Sequence, residues 1–404
     1  MVSAGSDVIV VGAGPTGSFA AMQAAQHGAE VILCEEHGEI GVPSHCTGHV
    51  SLAGIQRLGL NLPKQIVENE IKAAAFHSPS GYHFSVRFAS PVTCVVNRAL
   101  LDRHLAERAA EAGAQVVKNS RVESLLIERG FVKGVTVKHE RKIERLSSEI
   151  VIDAEGVSSH LLKRAKLPSV DPSMVVNGVQ ADVDKVDGID EDTVEVFVSN
   201  ECAPGFFAWI VPKRDGTAKV GLGTASGNPR DCLRSLMRHN LVARQRLRHS
   251  RIQQLVYHPI PLGGPISRTF HDGLLVVGDA ASQVKPTTGG GIVLGLMCAQ
   301  VAGKVAACAI RYRDSSAFFL SEYERKWKKE IGFDMTAMKR LRHLLNNLTD
   351  KQLDGLLALC TRVGLDETLK HVRDIDFQGT SLVGMVKSPR FLATALYLLT
   401  TAFL

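Results

Sequence analysis

The stretch Asp7-Val-Ile-Val-Val-Gly-Ala-Gly-Pro-Thr-Gly17 constrains this chain more than any other. Val8 to Val11 is an apolar, β-branched run, too short for a helix, and reads as a buried parallel strand. Gly12, Gly14 and Gly17 then spell G-x-G-x-x-G, and the Ala-rich segment Ser18 to His27 continues as a helix. Each glycine has a mechanical reason. Gly12 permits the tight turn, Gly14 lets the backbone approach a pyrophosphate, and Gly17 lets the helix pack close to the strand. Phosphates would meet the open N–H groups and positive end of that helix, each charge interaction contributing about 0.3–1 kcal/mol. A second strand, Glu30 to Cys34, ends at Glu35 and Glu36, and an acid about 20 residues past the loop can accept from a ribose hydroxyl. A glycine loop alone is weak evidence, but this one has its strand, its helix and its acid. The stretch predicts a dinucleotide-binding domain.

With 404 residues, the chain is long enough for two or three domains. Hydrophobic residues at 45% and charged residues at 22% exclude an extended disordered protein. The net charge of +6 permits an anionic partner without requiring one, and nothing points to nucleic acid. The 8 cysteines stand singly, with no C-x-x-C pair, so neither a metal site nor a disulfide frame is expected. A first strand beginning at Asp7 leaves no room for a signal peptide, which predicts a cytoplasmic protein with reduced thiols. Pro286 to Gly303 is uncharged but opens with glycines, and reads as a buried helix rather than a membrane span.

Along the chain, Gly41-Val-Pro-Ser-His-Cys-Thr-Gly48 is a loop with His45 and His49 near Cys46. Ala73 to Phe88 alternates around Ser-Pro-Ser-Gly and reads as a hairpin. A helix is expected from about Arg98 to Gly113, then strands at Gln115–Val117, Val122–Ile127, Val132–Lys138 and Glu149–Asp153. The last runs into Asp153-Ala-Glu-Gly156. From Val175 the character changes. Thr193–Val198, Phe206–Pro212 and Ala218–Gly223 have the period-two pattern of an antiparallel sheet, with Phe207, Trp209 and Val211 on one face. Asn228 to Arg251 is Arg-rich and helical; it reads as a solvated face, with phosphate headgroups or an acidic electron donor as the alternative. Gly221-x-Gly223-x-x-x-Gly227 has the wrong spacing for a second dinucleotide loop.

A further cofactor signal follows. Gly273-Leu-Leu-Val-Val-Gly278-Asp279 is a buried strand ending in Gly-Asp, and Gly289-Gly290-Gly291 opens a long apolar helix to about Ile310. An aspartate at a strand end can hold ribityl or ribose hydroxyls, and a glycine-rich helix start can approach a flavin ring. From Arg311 onward the chain reads as helical, down to an apolar tail at Phe391–Leu404.

Gly12-x-Gly-x-x-Gly17, Arg98-x-x-x-Asp102, Asp153-Ala-Glu-Gly156 and Gly278-Asp279-Ala-Ala together resemble the flavoprotein group of the aromatic hydroxylases. Pro43-x-x-Cys46-x-Gly48 and Pro204-Gly-Phe-Phe-Ala-Trp-Ile-Val-Pro212 narrow this to a resemblance with the geranylgeranyl reductases, especially the archaeal lipid-reducing branch. The chain departs from that pattern at Phe207 and Val211, where Tyr and Phe are expected, and at Glu155, where a second Asp is common. The resemblance implies an α/β fold: a Rossmann-like FAD-binding domain, an inserted antiparallel β-sheet substrate domain and a C-terminal helical region. The boundaries expected are 1–70, 92–178 and 255–310 for the FAD-binding domain, 71–91 and 179–254 for the sheet, and 311–404 for the helices.

The resemblance further implies FAD as cofactor, and hydrogenation of isolated C=C bonds in prenyl chains by hydride from reduced flavin N5 plus a proton. It assigns to the cofactor Gly12, Gly14, Pro15, Thr16, Gly17, Glu35, Glu36, His45, Cys46, Gly48 and Arg98. Also assigned are Val122, Asp153, Gly156, Gly278, Asp279, Gly289, Gly290, Gly291 and Ile292. Cys46 is the candidate proton donor, since a thiol of ordinary acidity is mostly protonated at neutral pH, or a lid on the flavin; a small buried hydrophobe is the plainer reading. Phe207 and Trp209 fit a wall of a prenyl slot, or plain core. The partners implied are a prenyl lipid, an electron donor (reduced ferredoxin, NAD(P)H or a deazaflavin) and a membrane surface touched peripherally. The apolar tail, and Trp327 among Lys326, Lys328 and Lys329, are the expected interfacial features. A flavin monooxygenase on the same scaffold, or a non-catalytic flavin electron carrier or prenyl-binding protein, are the rival readings.

Overall fold

The computed structural model describes residues 5–139, 142–372 and 374–402. They form two compact units, each assembled from three stretches of chain. The first comprises Met1–Ser44, Arg98–Pro172 and Gly263–Met335, and the second His45–Asn97, Ser173–Leu262 and Thr336–Leu404.

In the first unit the Gly5–Val11 strand sits at the centre of a sheet. Its order is Phe270–His271, Leu274–Val276, Lys142–Asp153, Gly5–Val11, Val31–Cys34, Gln115–Val117. Gly5–Val11 pairs in parallel with Lys142–Asp153 and with Val31–Cys34, and Val31–Cys34 in parallel with Gln115–Val117. Val8, Ile9 and Val10 are fully buried, as a strand covered on both faces requires. An antiparallel ribbon, Ser120–Glu128 with Phe131–His139, continues from Lys142–Asp153. This is the doubly wound, Rossmann-like arrangement that the glycine loop predicts.

Two helices cover the loop's strand. Pro15–Gln26 buries an almost unbroken run from Gly17 to Ala24, and Ile292–Tyr312 packs against it so closely that a Cβ on Gly303 would lie 2.5 Å from the Ala20 carbonyl oxygen. Ile292–Tyr312 is, among the described residues, the one helix long and apolar enough to cross a membrane, and 78% of its apolar window is buried in the fold. It is a core helix, as its glycine-rich start suggests.

The second unit carries a seven-stranded sheet. Its order is Ile252–Pro261, Val175–Val183, Ala218–Thr224, Ala208–Pro212, Thr193–Phe197, Ala73–His77, His83–Arg87. The sheet is mixed rather than purely antiparallel, because Thr193–Phe197 and Ala73–His77 pair in parallel. The hairpin Ala73–Arg87 arrives from a distant stretch of chain, so no tight turn dictates its direction. On one face Ala208, Ile210, Ala218, Val220 and Leu222 pack with Leu233, Leu236, Ala243 and Leu247. Those leucines and Ala243 come from two helices, Pro229–His239 and Leu241–Leu247, separated by Asn240, whose side chain caps the second by accepting from the Ala243 amide at 3.0 Å.

The boundaries differ from those expected. Residues 45–70 and 92–97 join the second unit, because His49–Ser51, Thr93–Val96 and Val67–Ile71 form a three-stranded sheet of their own. Residues 311–335 join the first, where Tyr323 and Trp327 of the Ala317–Asn346 helix are buried. Trp327 is 3% exposed and donates Nε1–H to Thr269 Oγ1 at 3.0 Å, so it is not the interfacial ring expected from its lysine neighbours. Lys326 and Lys328 pair outward with Glu322 and Glu324, and Lys328 Nζ still lies 5.6 Å from the centroid of the buried ring.

Candidate active site

The three glycines of the first loop meet three different steric demands. Gly12 has φ +91°, and a Cβ there would lie 2.6 Å from the Ala154 carbonyl oxygen. A Cβ on Gly17 would lie 1.9 Å from the Gly12 oxygen, so the helix starts in backbone contact with the turn. At Gly14 a Cβ would meet nothing within 4 Å, and this open residue is the N-cap of Pro15–Gln26, with no side chain capping the helix. The loop therefore offers N–H groups on an unobstructed surface, which suits a pyrophosphate.

Glu35 reaches back to this loop. Its Oε2 accepts from the Ala13 amide at 2.8 Å, and its Oε1 from the His37 amide at 3.0 Å. Glu36 does not join it; its side chain is half exposed, 3.8 Å from Arg121. Val122 is buried, two residues past Ser120, whose amide donates to the Glu35 carbonyl at 2.7 Å. Arg98 grips Asp102 through two hydrogen bonds, 3.1 and 2.9 Å. Burial lifts the Asp102 carboxyl above its ordinary range despite the attraction of Arg98.

Asp153 ends the Lys142–Asp153 strand completely buried, and burial followed by repulsion from Glu155 pushes its carboxyl well above the ordinary range. Glu155, the departure from the expected Asp, is used internally: its carboxylate accepts from the Leu161 amide at 2.8 Å and pairs with His160. Gly156 has φ +79° and open space where a Cβ would stand.

The second glycine cluster converges on Thr16. A Cβ on Gly278 would lie 3.0 Å from the Thr16 side chain, and one on Gly295 would lie 2.8 Å from Thr16 Oγ1. A Cβ on Gly291 would come within 3.0 Å of Asp279 Oδ1, and one on Gly290 within 2.7 Å of Lys285 Cε. Gly289 has φ +72°, and Ile292 begins the helix that Gly291 caps. The sequence misses what holds the Gly278–Asp279 turn. Gln283 Oε1 accepts from the Gly278 amide at 2.8 Å, its Nε2 donates to Tyr323 Oη, and Tyr323 in turn donates to the Val276 carbonyl, both at 2.8 Å. No local pattern announces a pair 40 residues apart.

The second unit brings the remaining candidates to one face of its seven-stranded sheet, the face opposite the two Arg-rich helices. Trp209 and Val211 lie on it, with Val194 and Val196 of the next strand. Phe207 precedes the strand rather than belonging to it, and its ring meets Phe206 at 4.2 Å and Trp209 edge-on at 5.9 Å. A Cβ on Gly221 would lie 2.5 Å from Trp209 Cζ2, and one on Gly223 would lie 2.6 Å from Phe206 Cδ1. So the two glycines that nearly match a nucleotide loop are seats for aromatic rings.

The Cys46 loop spans the same face. Thr47 donates to Gln180 Oε1 at 2.7 Å, His45 stacks on His258 with ring centroids 5.4 Å apart, and Lys219 Nζ reaches the Cys46 carbonyl at 3.5 Å. Gly48, at φ +75°, donates its amide to Cys46 Sγ at 3.3 Å, and a Cβ there would lie 2.1 Å from the Val96 oxygen. His49 is turned away to Thr93 Oγ1 at 2.6 Å. On the other side of the sheet, Arg234, Arg238, Arg244 and Arg248 line a shallow groove of about 460 Å³.

Comparison with known proteins agrees with this geometry. A family model described as an FAD binding domain matches residues 5–329. Digeranylgeranylglycerophospholipid reductase 2 of Methanopyrus kandleri is 34% identical, over 94% of this chain and 98% of its own length. The enzyme of the same name from Methanothermobacter thermautotrophicus is 38% identical, over 87% and 90%. The crystal structure of a geranylgeranyl bacteriochlorophyll reductase-like protein from Thermoplasma acidophilum superposes with a TM-score of 0.85 at 26% identity, covering 98% of this chain and 99% of that one. A flavin-dependent brominase shares the fold at a TM-score of 0.74, with 17% identity and 97% of both chains covered. The chain binds FAD, and it belongs to the digeranylgeranylglycerophospholipid reductase family of FAD-binding proteins.

Proposed function

We propose that the protein reduces C=C bonds in the geranylgeranyl chains of an archaeal ether phospholipid. The observation that carries the reading is the Trp209 face, an aromatic wall seated on glycines with a thiol-bearing loop across the same sheet. Bound FAD, once reduced, supplies a hydride from N5. The chain's own part is to exclude water, hold the alkene and deliver a proton. An unactivated trisubstituted alkene is a poor hydride acceptor, so protonation must build positive character at the tertiary carbon. Aromatic faces such as those of Phe207 and Trp209 favour such charge. Cys46 gives the proton in this reading: hydride and proton complete one CH–CH bond, and water reprotonates the thiolate.

The test is anaerobic. Photoreduced protein mixed with a geranylgeranyl phospholipid reoxidises its flavin, and mass spectrometry finds one H₂ added per double bond. Product that requires O₂ in equal amount identifies a monooxygenase instead. A flavin that no alkene reoxidises identifies an electron carrier. Electrons come from a separate donor, reduced ferredoxin, NAD(P)H or a deazaflavin. Replacing each in turn in the assay distinguishes them.

A geranylgeranyl lipid is insoluble, so the protein is proposed to act in the cytoplasm at a membrane surface, touched peripherally. What supports this is the Pro389–Thr401 helix, whose Tyr397 and Leu398 pack inward while Leu392, Leu396 and Leu399 are about half exposed or more. Leu396→Ser with Leu399→Ser lowers liposome flotation without changing the melting temperature. If flotation is unchanged, membrane contact lies elsewhere.

A further inference from the structure

The Ala218–Thr224 strand alternates with one exception. Ala218, Val220 and Leu222 face the Arg-rich helices, and Gly221 and Gly223 face the other way to seat Trp209 and Phe206. The remaining position on that second face, Lys219, holds a lysine that is only 6% exposed. Burying an ammonium is unfavourable unless it is paired and hydrogen-bonded, and a methionine would fill the same space without that cost. Its head group has two polar neighbours. Glu68 Oε2, which takes no hydrogen bond among the described residues, lies 3.8 Å from Nζ. The Cys46 carbonyl lies 3.5 Å from it. Glu68 is itself fixed, its Oε1 accepting from Asn97 at 3.2 Å, with Lys213 3.9 Å away.

We propose that Lys219 is a positioning residue for the reduction: its ammonium, balanced by Glu68, ties the Cys46 backbone to the sheet and so sets where the thiol stands. Gly48 completes the hold from the other side, because its left-handed turn aims its amide at Cys46 Sγ. The lysine acts on the loop, not on the alkene. This rests on the reading of Cys46 as proton donor, and the experiment separates the two.

Lys219→Met keeps the volume and removes the charge. In the FAD-loaded protein it is expected to lower the maximal rate of alkene-dependent flavin reoxidation about tenfold, with flavin content and half-saturating lipid concentration unchanged. In a Cys46→Ser background the same substitution is expected to have no further effect, since both act through one group. Labelling of Cys46 by a thiol reagent, followed on its peptide by mass spectrometry, should rise about tenfold in Lys219→Met as the loop is released. Lys219→Arg, which keeps the charge, should retain parent-like labelling. Unchanged labelling in Lys219→Met overturns the proposal whatever the activity does, as does an undiminished effect in the Cys46→Ser background. Faster labelling with a Cys46→Ser variant of parent activity leaves the anchoring in place and overturns the proton-donor reading instead.

Discussion

The two halves of this chemistry are built on different principles. In the first unit most of the glycine loop is local: Gly17 is held by the Gly12 backbone, Gly14 stands open, Gly12 meets a distant strand end at Ala154, and Glu35 closes the set after one helix. In the second unit the contacts that hold the Cys46 loop to the sheet are long-range. Cys46 meets Lys219 and Thr47 meets Gln180 across separations of 173 and 133 residues. A site made of backbone sterics tolerates few residues and announces itself in a short motif. One assembled from side chains on returning strands has only the period of those strands to show, so substitutions should separate the halves.

The largest effect is expected at Gly17. Valine there would put Cβ into the Gly12 oxygen, and the strain of more than about 3 kcal/mol should abolish both flavin retention and the cooperative urea transition. A soluble, yellow Gly17→Val protein would break the account of the loop. Gly221→Ala comes next. Displacing Trp209 by about an ångström should slow alkene reduction roughly 100-fold while FAD content stays at parent level. Loss of FAD instead would show that the two halves are not separable. Cys46→Ser should keep FAD and slow alkene-dependent reoxidation roughly tenfold, about 1.4 kcal/mol of barrier. A parent rate would make Cys46 structural.

The smallest effect concerns pH and only the second unit. Burial, followed by repulsion from His83 and Arg246, lowers the His77 pKa from 6.5 to about 4. A depressed histidine contributes stability above its unfolded value and loses it as pH falls from 6.5 toward 4. Discounted for partial exposure, the loss attributable to His77 between pH 7 and pH 5 should be about 1 kcal/mol. Urea midpoints of the parent and His77→Phe at both pH values measure it, and an equally steep acid limb in the variant would remove His77 from the account.

What the sequence displays follows the same division. The Rossmann strand, both glycine clusters, the hairpin at Ala73–His77 and His83–Arg87, and the buried Ile292–Tyr312 helix are periodic or motif-bound, and all are legible. Trp209 is legible as one face of a strand, but Phe207 is not on that strand, because the Ala208–Pro212 ladder begins one residue later. Trp327 misleads because charged neighbours one residue away on a helix do not fix which way a ring faces, and this ring is turned into the fold. Lys219 leaves one faint trace, a lysine between alanine and valine at an inward position. Gly221 and Gly223 look like an imperfect phosphate loop because the same freedom from a Cβ serves an indole as well as a phosphate.

The interleaving of the two units bears on how the chain is made. The first unit is complete once Met335 has left the ribosome, but the second is not. Its hairpin strand exposes Phe84 and Val86 until the helices Asp350–Val363 and Asp366–Leu369 arrive to cover them. Through most of synthesis a greasy strand made early therefore waits for a lid made late. Premature termination between Met335 and Asp350 would release a protein whose first unit is complete yet whose sheet edge is sticky, a natural client for a chaperone.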